Sequence, residues 1–201
     1  NAAEAFLQCM TINNVAKMQV GDAKYSAMCY PDGGIVDDLI LYKKSGGYFM
    51  VVNAANIRKD FDWLSQNIIE DVKLENVSDS YSLIALQGPE SRDILNRFTD
   101  VDLNMPFYSY QDGMVNGCSV MVSRTGYTGE LGFEVWCHPK DGPAVWDVIW
   151  EAGQPRGLMP LGLDALDMVR IEAGLVFAGY EFSDQTDPFE AGIGFTVPLK
   201  S

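Results

Sequence analysis

Two adjacent carboxylates inside an apolar stretch are the clearest chemical signal in the chain. They interrupt the run Gly33-Gly34-Ile35-Val36-Asp37-Asp38-Leu39-Ile40-Leu41-Tyr42. Aspartate is a poor strand former and is rarely buried unless its charge is compensated. Strict alternation in a strand places Asp37 on the face of Ile35 and Asp38 on the face of Val36, and neither face is polar. The inward-pointing aspartate therefore requires a ligand or a partner. The alternatives are a cap on the Gly-Gly turn and an ion pair with a lysine.

A second segment surrounds one tyrosine with glycines and ends in a glutamate. It reads Ser123-Arg124-Thr125-Gly126-Tyr127-Thr128-Gly129-Glu130-Leu131-Gly132-Phe133-Glu134. Glycines without a Cβ let the backbone approach another group closely. Glu134 falls in the predicted strand that follows. The pattern is typical of a loop at a binding site, although Tyr127 in a packed turn and Glu134 on a sheet surface are the ordinary alternatives.

Hairpins position the first of these segments. The turns Pro31-Asp32-Gly33-Gly34 and Ser45-Gly46-Gly47 have strong hairpin chemistry. Apolar periodicity predicts helices and strands on both sides of them. The predicted elements are a helix at 2–10, strands at 23–30, 35–42 and 48–52, a helix at about 56–67, and strands at 72–77 and 82–86.

A similar order of elements follows in the second part of the chain. Asn116-Gly117 predicts a type I′ turn, and Gly174 a helix end. The predicted elements are helices at 89–98, 140–152 and 161–173, with strands at 107–111, 114–115, 118–123 and 132–137. Helix, strands and helix thus occur twice, which predicts two related halves at about 1–80 and 81–201. Antiparallel hairpins with grouped helices indicate an α+β fold.

Composition excludes several functional classes. The 201 residues carry a net charge of −14 and no cluster of Lys and Arg, which argues against nucleic-acid binding. No apolar run approaches the roughly 20 residues that span a membrane, and the start of the chain lacks the pattern of a signal peptide. The four cysteines show no C-x-x-C spacing and are expected to be reduced. A single histidine, His138, leaves little material for a Ser-His-Asp triad or a metal site, so no metal is expected.

Together these segments resemble the aminomethyltransferase (T-protein) family of the glycine cleavage system. Further family motifs follow in sequence order over nearly the whole chain. They are Lys24-Tyr25-Ser26, Val51-Val52-Asn53-Ala54-Ala55-Asn56, Ala85-Leu86-Gln87-Gly88-Pro89, Phe107-Tyr108-Ser109 and Asp187-Pro188-Phe189-Glu190. The resemblance implies a duplicated folate-binding domain of antiparallel sheets flanked by helices. We interpret residues 1–201 as an internal fragment that lacks the family's N-terminal stretch and C-terminal barrel. A location in the cytoplasm, or in the mitochondrial matrix if the source is eukaryotic, fits this family.

The resemblance also implies a reaction and a partner. In the family, tetrahydrofolate, the co-substrate, accepts a one-carbon unit from an aminomethyl group on the lipoyl arm of a carrier (H) protein, and ammonia leaves. Asp38 matches the family's catalytic aspartate. Positive charge develops as ammonia is expelled, and a fixed carboxylate in a dry site stabilises such a charge.

Five further residues match folate-site positions of the family. Glu134 corresponds to a glutamate that recognises the pterin, whose neighbouring N–H groups one carboxylate can accept together. Tyr127 corresponds to a tyrosine that packs against a flat ring of folate. Asn53, Tyr25 and Tyr108 also match. A helix N-cap is the alternative for Asn53, and ordinary strand aromatics are the alternative for the two tyrosines.

One position departs from the family pattern. Leu166 stands where a folate-contacting arginine is expected, and leucine cannot hydrogen-bond a carboxylate or carbonyl. The departure keeps two alternatives open. One is a tetrahydrofolate-dependent demethylase with a small N-, S- or O-methylated donor, and the other is a non-catalytic folate-binding relative. The presence of Asp38 argues against the second.

Overall fold

The computed structural model describes residues 1–199, and these separate into two units. The first unit contains Asn1–Asn76 together with residues 176–199, and the second contains Val77–Leu175. The C-terminal segment thus belongs to the first unit, whereas the sequence assigns it to the second half. Within residues 1–199, no helix is long and apolar enough to cross a membrane. All four cysteines are unpaired, and of these Cys137 is buried and Cys9 exposed.

Three antiparallel strands form the sheet of the first unit, as the hairpin signals predict. Their order is β1-β2-β3, with β1 at Ala23–Cys29, β2 at Ile35–Lys44 and β3 at Gly47–Val52. Two helices accompany the sheet, α1 at Ala2–Met10 and α2 at Ile57–Gln66. The core between helices and sheet contains Phe6, Leu7, Val15, Met18, Met28, Val36, Leu39, Leu41 and Leu64.

A β-bulge near the start of β2 sets the direction of the side chains that follow. Val36 is an extra residue on β2, because the register with β1 shifts opposite Met28 and Cys29. Val36 therefore packs in the core beneath the helices, whereas Ile35 packs in a separate cluster. Asp37 adjoins Asp60 of α2 and so lies on the helix-covered face with Val36, and the prediction that it shares a face with Ile35 is wrong. Uninterrupted alternation does not survive an extra residue.

The C-terminal segment packs against the start of β2. The backbone N–H of Ile35 donates to the carbonyl of Thr186 at 3.1 Å. Phe182 is buried in the same cluster as Ile35. The backbone of Asp184 approaches Gly34 so closely that a Cβ at residue 34 would overlap the Asp184 carbonyl oxygen. The second glycine of the predicted Gly-Gly turn is therefore required by a tertiary contact.

Gly34→Ala is expected to lower the free energy of unfolding by about 1–3 kcal/mol, because the overlap is with backbone and must be relieved by moving a segment. Gly46→Ala is the matched control, since a Cβ there meets nothing within 4 Å. Urea unfolding of both variants measures the difference. Equal unfolding midpoints for Gly34→Ala and Gly46→Ala would contradict the proposed contact.

A four-stranded antiparallel sheet forms the second unit, in the order β4-β7-β6-β5. Its strands are β4 at Ser82–Gln87, β5 at Tyr110–Val115, β6 at Cys118–Ser123 and β7 at Gly132–Cys137. The helices are α3 at Ser91–Leu95, α4 at Gly142–Gly153 and α5 at Leu163–Glu172. The core of this unit lies against the sheet, α3 and α4 and contains Leu86, Ile94, Leu95, Val115, Val122, Phe133, Val135, Val145 and Ile149.

Several predicted elements of this region change in extent. The two short strands predicted at 107–111 and 114–115 are one strand, β5, and the helix predicted at 89–98 is limited to α3. Asn116 and Gly117 have φ angles of 49° and 80°, which confirms the type I′ turn. The strand predicted at 72–77 is wrong. Val72 and Leu74 pack against the first core, which gives the apolar alternation of a strand without a pairing partner.

Candidate active site

Asp38 is held by two neutral donors from separate elements. The hydroxyl of Tyr25 donates to its Oδ2 at 2.8 Å, and Nδ2 of Asn53 donates to its Oδ1 at 2.6 Å. The register explains the first contact. Asp38 lies opposite the small residue Ala27, and Tyr25 is two residues before Ala27 on the same face of β1. Three of the predicted site residues therefore come together around one carboxylate.

The charge of Asp38 is only partly compensated. Burial is the largest influence and raises its pKa above the ordinary value of 3.8. The hydrogen bonds from Asn53 and Tyr25 lower the pKa, and the negative charge of Asp37 raises it. Within residues 1–199, no cation is among these influences. Such a carboxylate interacts strongly with a positive charge placed beside it, because little water screens the attraction.

Asp37 has the partner that its position requires, and this partner is a second acid. Asp37 and Asp60 of α2 are both 0% exposed, and their carboxyl groups lie close enough together for one to influence the protonation of the other. Burial, followed by the hydrogen bond and charge of Asp37, raises the pKa of Asp60 to about 8. Asp60 therefore carries the proton of this pair at neutral pH. Sequence reasoning missed Asp60, although it stands on the face of α2 that carries Leu64, four residues later.

Glu134 is a poorly solvated carboxylate on a strand of the second unit, as Asp38 is in the first. It lies on β7 opposite Ser123 of β6. Its Oε2 accepts a hydrogen bond from the hydroxyl of Thr125, which also shares a 2.7 Å hydrogen bond with the Ser123 hydroxyl. Burial raises the pKa of Glu134, and the bond from Thr125 lowers it. The carboxylate is thus poorly solvated and well suited to accept further N–H donors.

The glycines around Tyr127 let the backbone approach the side chain of Gln87 closely. A Cβ at Gly126 or at Gly132 would overlap the side-chain amide of Gln87, which extends from the end of β4. The Oε1 of Gln87 accepts from the hydroxyl of Thr128 at 3.1 Å. The segment therefore approaches Gln87 closely, and this contact holds the loop on which Tyr127 is half-buried.

Tyr108 lies just before β5, outside the strand in which the sequence places it. Its φ of 58° is rare for a residue with a side chain, and such angles persist where surrounding contacts impose them. Its backbone N–H donates to the carbonyl of Arg124 at 3.1 Å, and its ring packs edge-on against that of Phe107, with 4.5 Å between the ring centroids.

Leu166, the position that departs from the family pattern, is half-buried on α5. Glu134, Tyr127 and Tyr108 all belong to the second unit, and Asp38, Asn53 and Tyr25 to the first.

Comparison with known proteins finds relatives that match nearly the whole chain. An aminomethyltransferase from Geobacillus sp. (strain WCH70) is 50% identical over 196 residues, which cover 96% of this chain and 54% of that protein. A trimethylamine-oxide aldolase from Ruegeria pomeroyi is 46% identical, over 99% of this chain and 26% of that protein. The crystal structure of glycine cleavage system aminomethyltransferase T from Bartonella henselae matches with a TM-score of 0.82 at 29% identity, over 99% of this chain and 54% of that one.

The fold is the α+β fold of the glycine cleavage T-proteins, as predicted. The profile of the GCVT N-terminal domain family matches residues 1–201. The chain therefore belongs to the GCVT N-terminal domain family. It spans about half the length of the aminomethyltransferases that it matches.

Proposed function

We propose that this domain serves the aminomethyl transfer of the glycine cleavage system. In this reaction the carbon–sulfur bond to the lipoyl arm of the carrier (H) protein and the carbon–nitrogen bond to ammonia break. Two bonds from the same carbon to nitrogens of tetrahydrofolate form, and the sulfur leaves as a thiol, so neither oxidant nor reductant is needed. The observation that supports this proposal most directly is Asp38, a half-buried carboxylate fixed by Tyr25 and Asn53.

Asp38 is suited to the charge that this reaction creates. The one-carbon unit becomes positively charged as ammonia leaves, and a preorganised carboxylate stabilises that charge without having to reorient. Tyr25 of β1 holds one carboxylate oxygen of Asp38 in place, and Asn53, which follows β3, holds the other. A non-catalytic folate-binding protein has no evident use for a carboxylate held in this way.

Tetrahydrofolate contacts are proposed for the second unit. Glu134 accepts N–H groups of the pterin, because its half-buried carboxylate is poorly solvated and Thr125 compensates its charge only in part. Tyr127 packs against a flat ring of the folate from the loop held by Gln87. Tyr108, fixed in a rare backbone conformation, is proposed as a further contact.

A second candidate function is a tetrahydrofolate-dependent demethylase with a small methylated donor. Two observations favour it. Leu166 replaces the arginine expected in the aminomethyltransferase pattern, and a relative that covers 99% of this chain is a trimethylamine-oxide aldolase. The folate domain and Asp38 serve both reactions, because each transfers a one-carbon unit that carries positive charge.

A single-turnover assay distinguishes these functions. A full-length protein that carries this domain receives tetrahydrofolate and an aminomethyl-loaded lipoyl carrier, and ammonia and 5,10-methylenetetrahydrofolate are followed together. Equal amounts of both products, formed far faster than with the carrier alone, are expected. Tetrahydrofolate binding without ammonia release would contradict aminomethyl transfer. Formation of 5-methyltetrahydrofolate from a methylated donor, with release of the demethylated donor and no need of an oxidant, would then identify the demethylase, and no product from any donor would identify a folate-binding protein.

A further inference from the structure

The buried pair of Asp37 and Asp60 is more than a neutral packing contact. Within residues 1–199, no N–H or hydroxyl group donates to either carboxyl oxygen of Asp60, or to Oδ2 of Asp37. The two carboxyl groups adjoin each other, and a proton on one of them would allow a hydrogen bond between them. Two ionised carboxylates at 0% exposure would repel each other and lack solvation, so a single shared proton is the stable arrangement.

This acid pair is connected to Asp38 through Asn53. Nδ2 of Asn53 donates to Oδ1 of Asp37 at 3.0 Å and to Oδ1 of Asp38 at 2.6 Å. An amide nitrogen carries two hydrogens, and each carboxylate accepts one. Only the nitrogen end of the amide can face two carboxylates, so Asp37 fixes both the orientation of the amide and its position. The amide in turn fixes Oδ1 of Asp38.

We propose that Asp60 is a positioning residue for the one-carbon transfer: its protonated carboxyl donates to Asp37, which orients Asn53 and thereby holds Asp38. The inference rests on the proposed function, since Asp38 is the residue that acts on the substrate. Asp60 itself touches no reacting group. Its effect passes through Asp37 of β2 and Asn53, the residue that follows β3.

The charged groups around the pair determine its response to pH. Asp37 and Asp38 of β2 both raise the pKa of Asp60, and Lys59 on the same helix lowers it. The ammonium of Lys59 donates to the carbonyl of Val36 at 2.6 Å and so anchors α2 beside Asp37. Above pH 8, Asp60 loses its proton and its donor function. Asp37 is then no longer held by a donor on Asp60, so the amide of Asn53 is less firmly oriented. The rate of one-carbon transfer falls as a result.

Three substitutions on α2 test the role of Asp60. Asp60→Leu removes donor and charge, Asp60→Asn keeps a donor but cannot ionise, and Asp62→Asn changes an exposed acid two residues away as the control. Asp60→Leu is expected to lower the single-turnover rate about 10–100-fold, the range that a displaced catalytic group costs, with the tetrahydrofolate Kd changed less than a few-fold. Asp60→Asn is expected to recover most of this loss, and Asp62→Asn to match the wild type.

The pH profile separates positioning from a merely structural role. The wild-type rate is expected to decline as pH rises through about 8, and this decline is expected to be absent in Asp60→Asn. A wild-type rate in Asp60→Leu, or an unchanged alkaline decline in Asp60→Asn, would overturn the proposal. If Asp60→Leu does not fold, the comparison of Asp60→Asn with the wild type still decides it.

Unfolding at different pH values tests the shared proton without any reaction. The pKa of Asp60 is raised from 3.8 to about 8 in the folded state, so the folded state binds more protons between these values. The unfolding free energy of the wild type should therefore fall, relative to Asp60→Asn, as pH rises across that window. Absence of aminomethyl transfer with this slope present would reject the proposed function alone. Absence of the slope would reject the shared proton, and with it the role of Asp60.

Discussion

Replacing Asp38 with asparagine is expected to reduce the rate of one-carbon transfer by roughly 10³-fold, comparable to the loss of a preorganised electrostatic group in other enzymes. Asparagine has nearly the same shape as aspartate and can still bond to Tyr25 and Asn53 after its amide rotates. The substitution therefore removes the negative charge and leaves the packing of β2 largely unchanged. The free energy lost is the attraction between this charge and the positive one-carbon unit, which exists only as ammonia leaves.

The Kd for tetrahydrofolate distinguishes this explanation from a loss of binding. Because the positive charge is absent before the reaction, the Kd of Asp38→Asn should stay within a few-fold of the wild-type value. Single-turnover rates and titration calorimetry on the same preparations give both quantities. Asp62→Asn, an exposed substitution of the same kind, controls for the general effect of one lost carboxylate. Unchanged turnover in Asp38→Asn would remove this residue from the mechanism.

The position of Asp38 next to Tyr25, within the hairpin of β1 and β2, could be predicted from the sequence. Asp38 stands out because an apolar strand rarely contains an unpartnered aspartate. Turn chemistry at Gly33-Gly34 correctly predicts that β1 and β2 pair, which brings Tyr25 near Asp38. The predicted roles of these residues in catalysis and binding remain predictions that the variants test.

Long-range contacts account for what the sequence could not predict. Asp60 meets Asp37 across a helix–sheet interface, and no local pattern links residues 23 positions apart. The bulge at Val36 depends on register with β1, and the close approach to Gly34 comes from a C-terminal segment about 150 residues later. The alternation at 72–77 is produced by contact with the core, which imitates strand periodicity. The predicted relationship between the two halves of the chain remains a proposal.

Glu134→Gln is expected to weaken tetrahydrofolate binding about 10–100-fold, since charge-assisted hydrogen bonds contribute about 1.5–3 kcal/mol and each factor of ten corresponds to about 1.4 kcal/mol. Glutamine presents one acceptor oxygen and one NH₂ group, so it cannot accept two neighbouring pterin N–H groups. Glu130→Gln is the matched control, because Glu130 is an exposed acid on the same loop. Titration calorimetry gives the affinities, and equal Kd values for the two variants would reject the pterin contact.

The pH dependence of binding tests the same contact from the protein side. Burial raises the pKa of Glu134, and the Thr125 hydroxyl opposes this rise by donating to the charged form. Tetrahydrofolate affinity should therefore fall on acidification as Glu134 takes up a proton, and Thr125→Val should shift this fall to higher pH. The fall should be absent in Glu134→Gln, which has no carboxyl group to protonate. An identical acidic profile in the wild type and Glu134→Gln would assign the titration to another group, and Glu134 would then have no part in holding the pterin.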